Sequence, residues 1–304
     1  MERSKIKEVW TSEWLRHTPE SEIKMWDFYG LRQWILKYTP RYGAILEAGC
    51  GLGRYVFYLS ELDIFCIGLD FSKEAIAKIH KFQKECNLNV KIFRGDVRSL
   101  PFKDNSFAGY ISLGVIEHFE EGPLRALKEA YRILCPGGIA IITTPSLSFS
   151  QVYLRAKTKI KTAIKSCVKK IIKYPIHKSN FFQYWYASKT LKSLVQNAGL
   201  KVVIAKGADL FYSFYELGYI PECESWFNKL ISKLENTFIA NIGAQSITIS
   251  YKPASEMHCF LCGNLNVKEN EMKTAIPICN KCLKNLMQNT MLNLSVLTRI
   301  IITL

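Results

Sequence analysis

The sequence predicts an α/β protein built on a parallel sheet and followed by a small cysteine-bearing unit. Short β-branched runs alternate with helical patterns over residues 43–145, and strand and helix patterns return over 181–253. Four cysteines are bunched within residues 254–304 and define the second unit. Hydrophobic residues make up 48% and charged residues 22% of the 304-residue chain, values that exclude a disordered chain and a polytopic membrane protein.

The predicted elements follow one another along the chain. Residues 1–42 are predicted to be helical, with Trp10, Trp14 and Trp26 as aromatic anchors. Ser188 is the expected N-cap of a later helix, and Gly199 is expected just past its end. The predicted strands cover residues 44–47, 64–69, 90–94, 108–113, 139–144, 202–205 and 246–251.

A glycine-rich loop follows the first predicted strand directly. Gly49, Gly51 and Gly53 allow a sharp turn and a close approach of a ligand to free N–H groups at the next helix N-terminus. Arg54 stands where the dinucleotide fingerprint has its third glycine, so the spacing is G-x-G-x-G. Asp70 ends the second strand, at the sheet edge where a carboxylate can accept both hydroxyls of a ribose. Loop and acid together predict a nucleoside site.

Further motifs carry a family resemblance. They are LEAGCGLG at 46–53, Asp70, GDV at 95–97, LPF at 100–102, DNSF at 104–107, VIEH at 115–118 and LCPGG at 134–138. In order and spacing these resemble the class I S-adenosylmethionine-dependent methyltransferases, over about residues 40–205 and a last strand at 246–251. The resemblance implies a Rossmann-like seven-stranded sheet, mostly parallel with an antiparallel last strand, in a domain of residues 1–253 with helices on both faces.

The resemblance also implies the cofactor site. Glu47 and the glycine loop are expected to hold the methionine portion, Asp70 the ribose, and Asp96 with Val97 the adenine. The full set of expected cofactor contacts is Glu47, Gly49, Cys50, Gly51, Gly53, Asp70, Phe71, Asp96, Val97, Leu113 and Glu117.

The expected reaction is methyl transfer to a small-molecule or lipid-linked acceptor, at oxygen. The stretch 113–118 is similar to quinone-biosynthesis O-methyltransferases, and the Asn-Pro-Pro-Tyr type motif of nucleobase and amide amino methyltransferases is missing from the fourth strand. His118 is the candidate general base, with a histidine that only shapes the pocket as the alternative. Gly114 stands where some relatives carry a metal-binding Glu, so no catalytic metal is expected. The rival functions are an RNA methyltransferase and a non-catalytic cofactor-binding module that recruits a partner.

Two insertions are predicted within the first domain. Residues 151–180 hold nine Lys and Arg and no acid, which supplies +9 of the net charge of +15. They are predicted to form a basic amphipathic helix at an anionic membrane surface, with contact to RNA phosphates or simple packing as a lid as the alternatives. The aromatic-rich insertion at 208–240 is predicted to build either an apolar acceptor pocket or the core of a helical cap.

The C-terminal unit, residues 254–304, is predicted to be a zinc ribbon. Cys259, Cys262, Cys279 and Cys282 form two C-x-x-C knuckles separated by sixteen residues, a spacing typical of a structural zinc site, with iron as the lesser alternative. The unit has five basic and three acidic residues and Phe260 as its one aromatic residue, which favours a stabilising or protein-contacting role over nucleic-acid binding. Its apolar tail at 287–304 is expected to pack on the ribbon or to offer a dimer surface.

The predicted location is the cytoplasm, with peripheral membrane contact through residues 151–180. The first thirty residues lack the apolar run and small-residue cleavage site of a secretory signal. The apolar stretch 291–304 is shorter than the ~20 residues that a spanning helix needs. The scattered cysteines suit a reducing compartment, so no disulfides are expected.

Overall fold

A computed structural model describes most of the two predicted units. The described residues are 9–10, 12, 14–25, 30–146, 153, 183–210, 213, 230, 233–234, 237–272 and 274–289. Apart from Tyr153, the predicted basic helix at 151–180 lies outside the described residues. So do most of the aromatic insertion at 208–240 and the apolar tail beyond residue 289.

The elements alternate as the sequence patterns predict. The helices are α1 Pro19–Met25, α2 Leu31–Tyr38, α3 Arg54–Glu61, α4 Lys73–Cys86, α5 Leu124–Ile133, α6 Ser188–Asn197 and α7 Asn280–Asn289. The strands are β1 Ile45–Ala48, β2 Cys66–Asp70, β3 Lys91–Arg94, β4 Phe107–Leu113, β5 Leu134–Pro145, β6 Lys201–Ala208, β7 Gln245–Tyr251, β8 Glu256–His258 and β9 Leu265–Lys268. Short 3₁₀ turns cover Ile116–His118, Phe238–Ile242 and Glu269–Glu271.

The seven strands β1–β7 form one sheet in the order β3-β2-β1-β4-β5-β7-β6. Strands β1–β5 pair in parallel, and β7 runs antiparallel to both β5 and β6. Every residue of β1 and β2 is buried, because helices cover both faces of the central strands. The predicted Rossmann-like sheet with an antiparallel last strand is confirmed.

Helices fill the two faces of the sheet with separate apolar clusters. On one face, Ile35 of α2, Leu59 of α3 and Ile79 of α4 pack together and are fully buried. On the other face, Leu127 of α5 and Leu191 of α6 pack against the sheet. Because helices cover both faces of the sheet, ligands and further segments of the chain can approach it at two edges, where the strands begin and where they end.

The turn between β2 and α4 shows how local chemistry ends a strand and begins a helix. The Ser72 hydroxyl accepts the Ala75 N–H at 3.2 Å, and the Ser72 N–H donates to Asp70 Oδ1 at 2.8 Å. The N-cap predicted at Ser188 is wrong by one residue, since Ala187 is the N-cap of α6 and α6 begins at Ser188. The Ser188 hydroxyl lies 3.2 Å from the Ser246 hydroxyl of β7, so it serves tertiary packing.

The cysteine unit packs on the edge where the parallel strands begin. A Cβ atom at Gly137, early in β5, would lie 2.7 Å from the His258 carbonyl oxygen, and one at Gly263 would lie 2.7 Å from Cγ of Tyr42. Met257 belongs to the same apolar cluster as the sheet. The unit is therefore joined to the sheet by a shared core, at the edge opposite the strand ends that the next subsection describes.

Candidate active site

A cavity of about 1170 Å³ runs along the edge where the parallel strands end. Its lining includes Asp96 after β3, Asp70 at the end of β2, the glycine loop after β1, Leu113 of β4 and Thr143 of β5. In open α/β sheets the crevice at the carboxyl ends of the strands is where ligands bind. The cavity therefore occupies the place where the sequence predicts the nucleoside.

The glycine loop adopts a backbone that side chains would strain. Gly49, Gly51 and Gly53 have φ angles of 81°, 53° and 80°, in the left-handed region. A Cβ atom at Gly51 would lie 2.7 Å from the Trp14 ring, and one at Gly49 would lie 2.4 Å from a methyl group of Val115. The N–H groups of Gly49 and Cys50 both donate to the Leu69 carbonyl, at 2.7 and 3.1 Å, which ties the loop to β2.

Asp70 connects the loop to the start of α4. Its Oδ2 accepts the Gly51 N–H at 2.9 Å and its Oδ1 accepts the Ser72 N–H at 2.8 Å. Burial raises the pKa of Asp70 to about 6, although these hydrogen bonds counteract part of the effect. Each carboxylate oxygen has a further lone pair, so Asp70 can accept ribose hydroxyls while it holds the loop.

Glu47 is a second buried carboxylate in the cavity lining. Its Oε2 accepts the Val56 N–H at 2.9 Å, and burial raises its pKa to about 8. Two carboxylates with raised pKa values in one cavity favour a cationic ligand, because a nearby positive charge stabilises their ionised forms.

Asp96 is held by Arg98. The Arg98 backbone N–H donates to Asp96 Oδ1 at 2.9 Å, and the guanidinium donates to Asp96 Oδ2 at 2.8 Å. Arg98 also pairs with Glu121, so the arginine is clamped between two carboxylates. The position predicted for adenine recognition is thus fixed by an ion pair, with Val97 buried beside it.

A segment before α1, comprising the described residues 9, 10, 12 and 14–17, covers the glycine loop. Trp10 and Trp14 stack with ring centroids 5.2 Å apart, and both line the cavity. The Lys78 ammonium of α4 donates to the carbonyls of Trp14, Leu15 and His17, at 2.7, 3.1 and 2.7 Å. Sequence analysis predicts these tryptophans only as helix anchors. Their spacing of four residues does place both on one helix face. Their contact with the loop was missed.

Arg54 has a role that the sequence did not predict. Arg54, which stands where the dinucleotide fingerprint has its third glycine, pairs with Glu22 of α1, and both residues line the cavity. His17 Nδ1 lies 3.7 Å from the same Glu22 carboxylate. These charges lie beside the glycine loop, at the end predicted to hold the methionine portion.

His118 lines the cavity, whereas Glu117 is buried behind the lining. The Trp10 ring meets His118 edge-on with centroids 5.2 Å apart. Glu117 is 1% exposed and is not among the lining residues; its Oε1 is 3.7 Å from His118 Nε2, beyond hydrogen-bond distance. Burial raises the pKa of Glu117 to about 8.

Gly53 also lies behind the lining, as the N-cap of α3. The other nine predicted cofactor residues line the cavity.

The far end of the cavity contains residues that sequence reasoning did not select. Thr143 of β5, Gln245 at the start of β7 and Asp209 directly after β6 all contribute to the lining. Asp209 is fully buried and has a φ angle of +63°, which is uncommon for a residue other than glycine. Its only sequence signal is its place at the start of the predicted insertion 208–240, because the predicted strand ended four residues earlier, at residue 205.

The four predicted metal ligands come together in the cysteine unit. The Sγ atoms of Cys259, Cys262, Cys279 and Cys282 all lie within 4.8 Å of one another. Tetrahedral zinc with Zn–S bonds of about 2.3 Å requires sulfurs about 3.8 Å apart, so the cluster fits a zinc ion. The Cys279 N–H donates to Cys259 Sγ at 3.3 Å, as expected around a thiolate. None of the unit's described residues lines the cavity.

Known proteins resemble the part of the chain that forms the first five strands. Residues 46–142 match the methyltransferase domain family. A demethylmenaquinone methyltransferase of Staphylococcus epidermidis is 37% identical over 116 residues, which cover 36% of this chain and 47% of the relative. The tRNA (carboxymethyluridine(34)-5-O)-methyltransferase alkbh8 of Xenopus tropicalis is 34% identical over 146 residues, covering 47% of this chain and 20% of the relative. The chain thus spans half or less of the length of these relatives.

A solved structure shows the same fold. A chain in the complex between the Haloferax volcanii Trm112 methyltransferase activator and the putative methyltransferase superposes with a TM-score of 0.54 at 16% identity, covering 82% of this chain and 98% of that chain. The matched domain family and both relatives are described as methyltransferases. The relatives named here include both quinone and tRNA enzymes. None of the described helices is long and apolar enough to cross a membrane.

Proposed function

We propose that this protein transfers the methyl group of S-adenosylmethionine to the oxygen of a small-molecule or lipid-linked acceptor within the cavity. The observation that carries the proposal is the convergence of the glycine loop, Asp70 and Asp96 on one cavity at the strand ends. At about 1170 Å³ this cavity exceeds the roughly 300–1,000 Å³ typical of a single drug-sized ligand, so it has room for donor and acceptor together.

The residues present fit the donor. Its sulfonium and ammonium groups are cationic, and the two buried carboxylates Glu47 and Asp70 gain from a nearby positive charge. Asp70 accepts the ribose hydroxyls, and Asp96 and Val97 receive the adenine. The lack of side chains at Gly49 and Gly51 lets Val115 and Trp14 pack closely against the loop that holds the donor.

The remaining charged pair suits the methionine end. The donor's α-carboxylate and α-ammonium match the opposite charges of Arg54 and Glu22, which lie together at the loop.

The protein's main task is alignment. A bound donor supplies an already activated methyl group, so little side-chain chemistry is obligatory. Trp10, Trp14 and Phe119 give the cavity an apolar wall that excludes water from the reacting atoms. His118 lies on this wall beside Trp10 and is the candidate base near the loop.

The four cysteines are proposed to hold a structural zinc ion. The ion would stabilise the unit that packs under Tyr42 and Gly137 at the opposite edge of the sheet. With four thiolate ligands the site is closed, as structural zinc sites are.

An RNA acceptor is the second candidate. The 34% identity to the tRNA methyltransferase of Xenopus tropicalis supports it, as do the nine basic residues at 151–180. The cavity itself favours a small acceptor because Trp10 and Trp14 form part of its wall beside the glycine loop.

A label-transfer survey tests the proposal. Methyl-labelled S-adenosylmethionine and the purified protein are mixed with lysate separated into lipid-extractable, RNA, protein and small polar fractions. Label in the lipid or small polar fraction is the expected result, and Asp70→Ala is expected to abolish it together with donor binding. Label in RNA supports the second candidate. No label in any fraction, with donor binding intact, contradicts methyl transfer and favours the non-catalytic module.

A further inference from the structure

The predicted donor contacts use only one half of the cavity. In the sheet order β3-β2-β1-β4-β5-β7-β6, all of them lie at the ends of β3, β2, β1 and β4. The strands β5, β7 and β6 form the other half and contribute Thr143, Gln245 and Asp209. Since the donor occupies the first half, the second half is where the acceptor must lie for its reacting atom to meet the methyl group.

Asp209 is built into this half rigidly. It is 0% exposed, and its left-handed φ of +63° is tolerated by Asp better than by most residues. Its carbonyl oxygen accepts the N–H of Ala244 at 3.3 Å and that of Ser213 at 3.4 Å, which ties the turn after β6 to the start of β7. Unusual backbone conformations that are held in this way occur preferentially at functional sites.

The neighbours of Asp209 are polar where a purely structural wall would be apolar. Thr143 is 1% exposed, and its Oγ1 has no hydrogen-bond partner among the residues that the structure describes. Oε1 of Gln245 is likewise buried and lacks a partner within the described part of the chain. Gln245 pairs with Pro145 of β5 and with Ala208 of β6, so the three elements meet at this point.

Leaving buried polar atoms without partners costs about 1–3 kcal/mol for each group. A polar ligand that occupies the cavity would remove this cost. Thr143 and Gln245 therefore point independently to a ligand with hydrogen-bonding groups in this half.

We propose that Asp209 binds the acceptor's hydroxyl group and takes its proton, with Thr143 and Gln245 as further hydrogen-bonding contacts to the acceptor. This inference rests on the proposed methyl transfer. The acceptor oxygen forms a bond to the methyl carbon, the carbon–sulfur bond breaks with its electron pair left on sulfur, and the hydroxyl proton passes to the Asp209 carboxylate and then to solvent. The acceptor is thus a neutral hydroxyl compound. Asp209 takes the role of base for which His118 is the other candidate, and His118 then shapes the donor half of the cavity.

The test uses Asp209→Asn, which keeps the size of the side chain and the tolerance of a left-handed backbone but removes the proton acceptor. Asp63→Asn is the matched control, because Asp63 also has a positive φ, of 57°, on the turn between α3 and β2 and outside the cavity lining. The initial rate of label transfer is measured against pH, with methyl-labelled S-adenosylmethionine and the lysate fraction that the unmodified protein labels. Donor binding is measured separately by calorimetry.

For Asp209→Asn we expect unchanged donor affinity, a rate lower by about 10²–10⁴-fold and loss of the acid limb of the pH profile. Asp63→Asn is expected to match the unmodified protein. In Asp209→Gly, whose glycine accepts the same φ, added formate is expected to restore part of the rate.

Three results overturn the inference. A normal rate and pH profile in Asp209→Asn would remove the role of Asp209 while leaving methyl transfer intact. Loss of donor binding in Asp209→Asn, but not in Asp63→Asn, would make Asp209 a structural residue. If the unmodified protein binds the donor but labels no fraction, the proposed function fails and the inference fails with it.

Discussion

Lys78→Met is expected to release the N-terminal segment from the cavity. The Lys78 ammonium donates its three hydrogens to three carbonyls, of Trp14, Leu15 and His17. These carbonyls close the end of the helical residues 14–16, where a positive charge also favours the helix dipole. Methionine keeps the length of the side chain but has no donor, so the substitution isolates the hydrogen bonds.

The size of the effect follows from the geometry. A hydrogen bond to a charged group contributes about 1.5–3 kcal/mol, and two of the three bonds, to Trp14 and His17, are partly buried. Those two, at the lower value, give about 3 kcal/mol, from which about 1.5–2 kcal/mol of lysine rotamer entropy is subtracted. The remaining ~1–1.5 kcal/mol corresponds to a roughly 5- to 12-fold shift towards the detached segment.

Calorimetry and hydrogen exchange measure the two consequences. Because Trp14 lines the cavity, the dissociation constant for S-adenosylmethionine is expected to rise by up to the same factor. The amides of residues 14–17 are expected to exchange faster. Lys81→Met on the same helix is the control, since Lys81 makes a surface pair with Glu85 at 3.7 Å. Unchanged affinity and unchanged exchange in Lys78→Met would refute the reasoning.

Three further predictions concern the buried carboxylate, the metal and the basic stretch. Burial raises the pKa of Glu47 to about 8, so the carboxyl stabilises the fold when protonated and this contribution is lost as pH rises towards 8. The melting temperature of Glu47→Gln should therefore exceed that of the unmodified protein by an amount that grows between pH 5 and pH 8. An equal difference in melting temperature at both pH values would contradict the burial argument. Metal analysis should give one zinc per chain, and chelation should lower the melting temperature. If protein purified without chelator contains no zinc, the zinc-ribbon prediction is contradicted. Vesicles rich in anionic lipid should sediment the protein at low salt if residues 151–180 bind membranes, and failure to do so ends that prediction.

The sequence by itself determined the sheet, the glycine loop and the cysteine cluster. Each of these depends on residues that are close together in the chain or repeat with a regular period. The left-handed φ angles of Gly49, Gly51 and Gly53 could be anticipated because few other residues fit a tight turn from strand to helix. Asp70 could be placed at the carboxyl edge because parallel strands all end there. The cysteine spacing likewise anticipated four sulfurs within reach of one ion.

The tertiary structure alone decided what covers the cavity, what lines its second half and where the cysteine unit sits. Lys78 meets Trp14 across 64 residues, and Thr143 of β5, Asp209 after β6 and Gln245 of β7 are distant from one another in sequence. No local pattern encodes such contacts, because they arise when the packing of whole elements brings separate segments together. The shared core between the cysteine unit and the sheet has the same origin, and it places the four clustered cysteines and the cavity at opposite edges of one sheet.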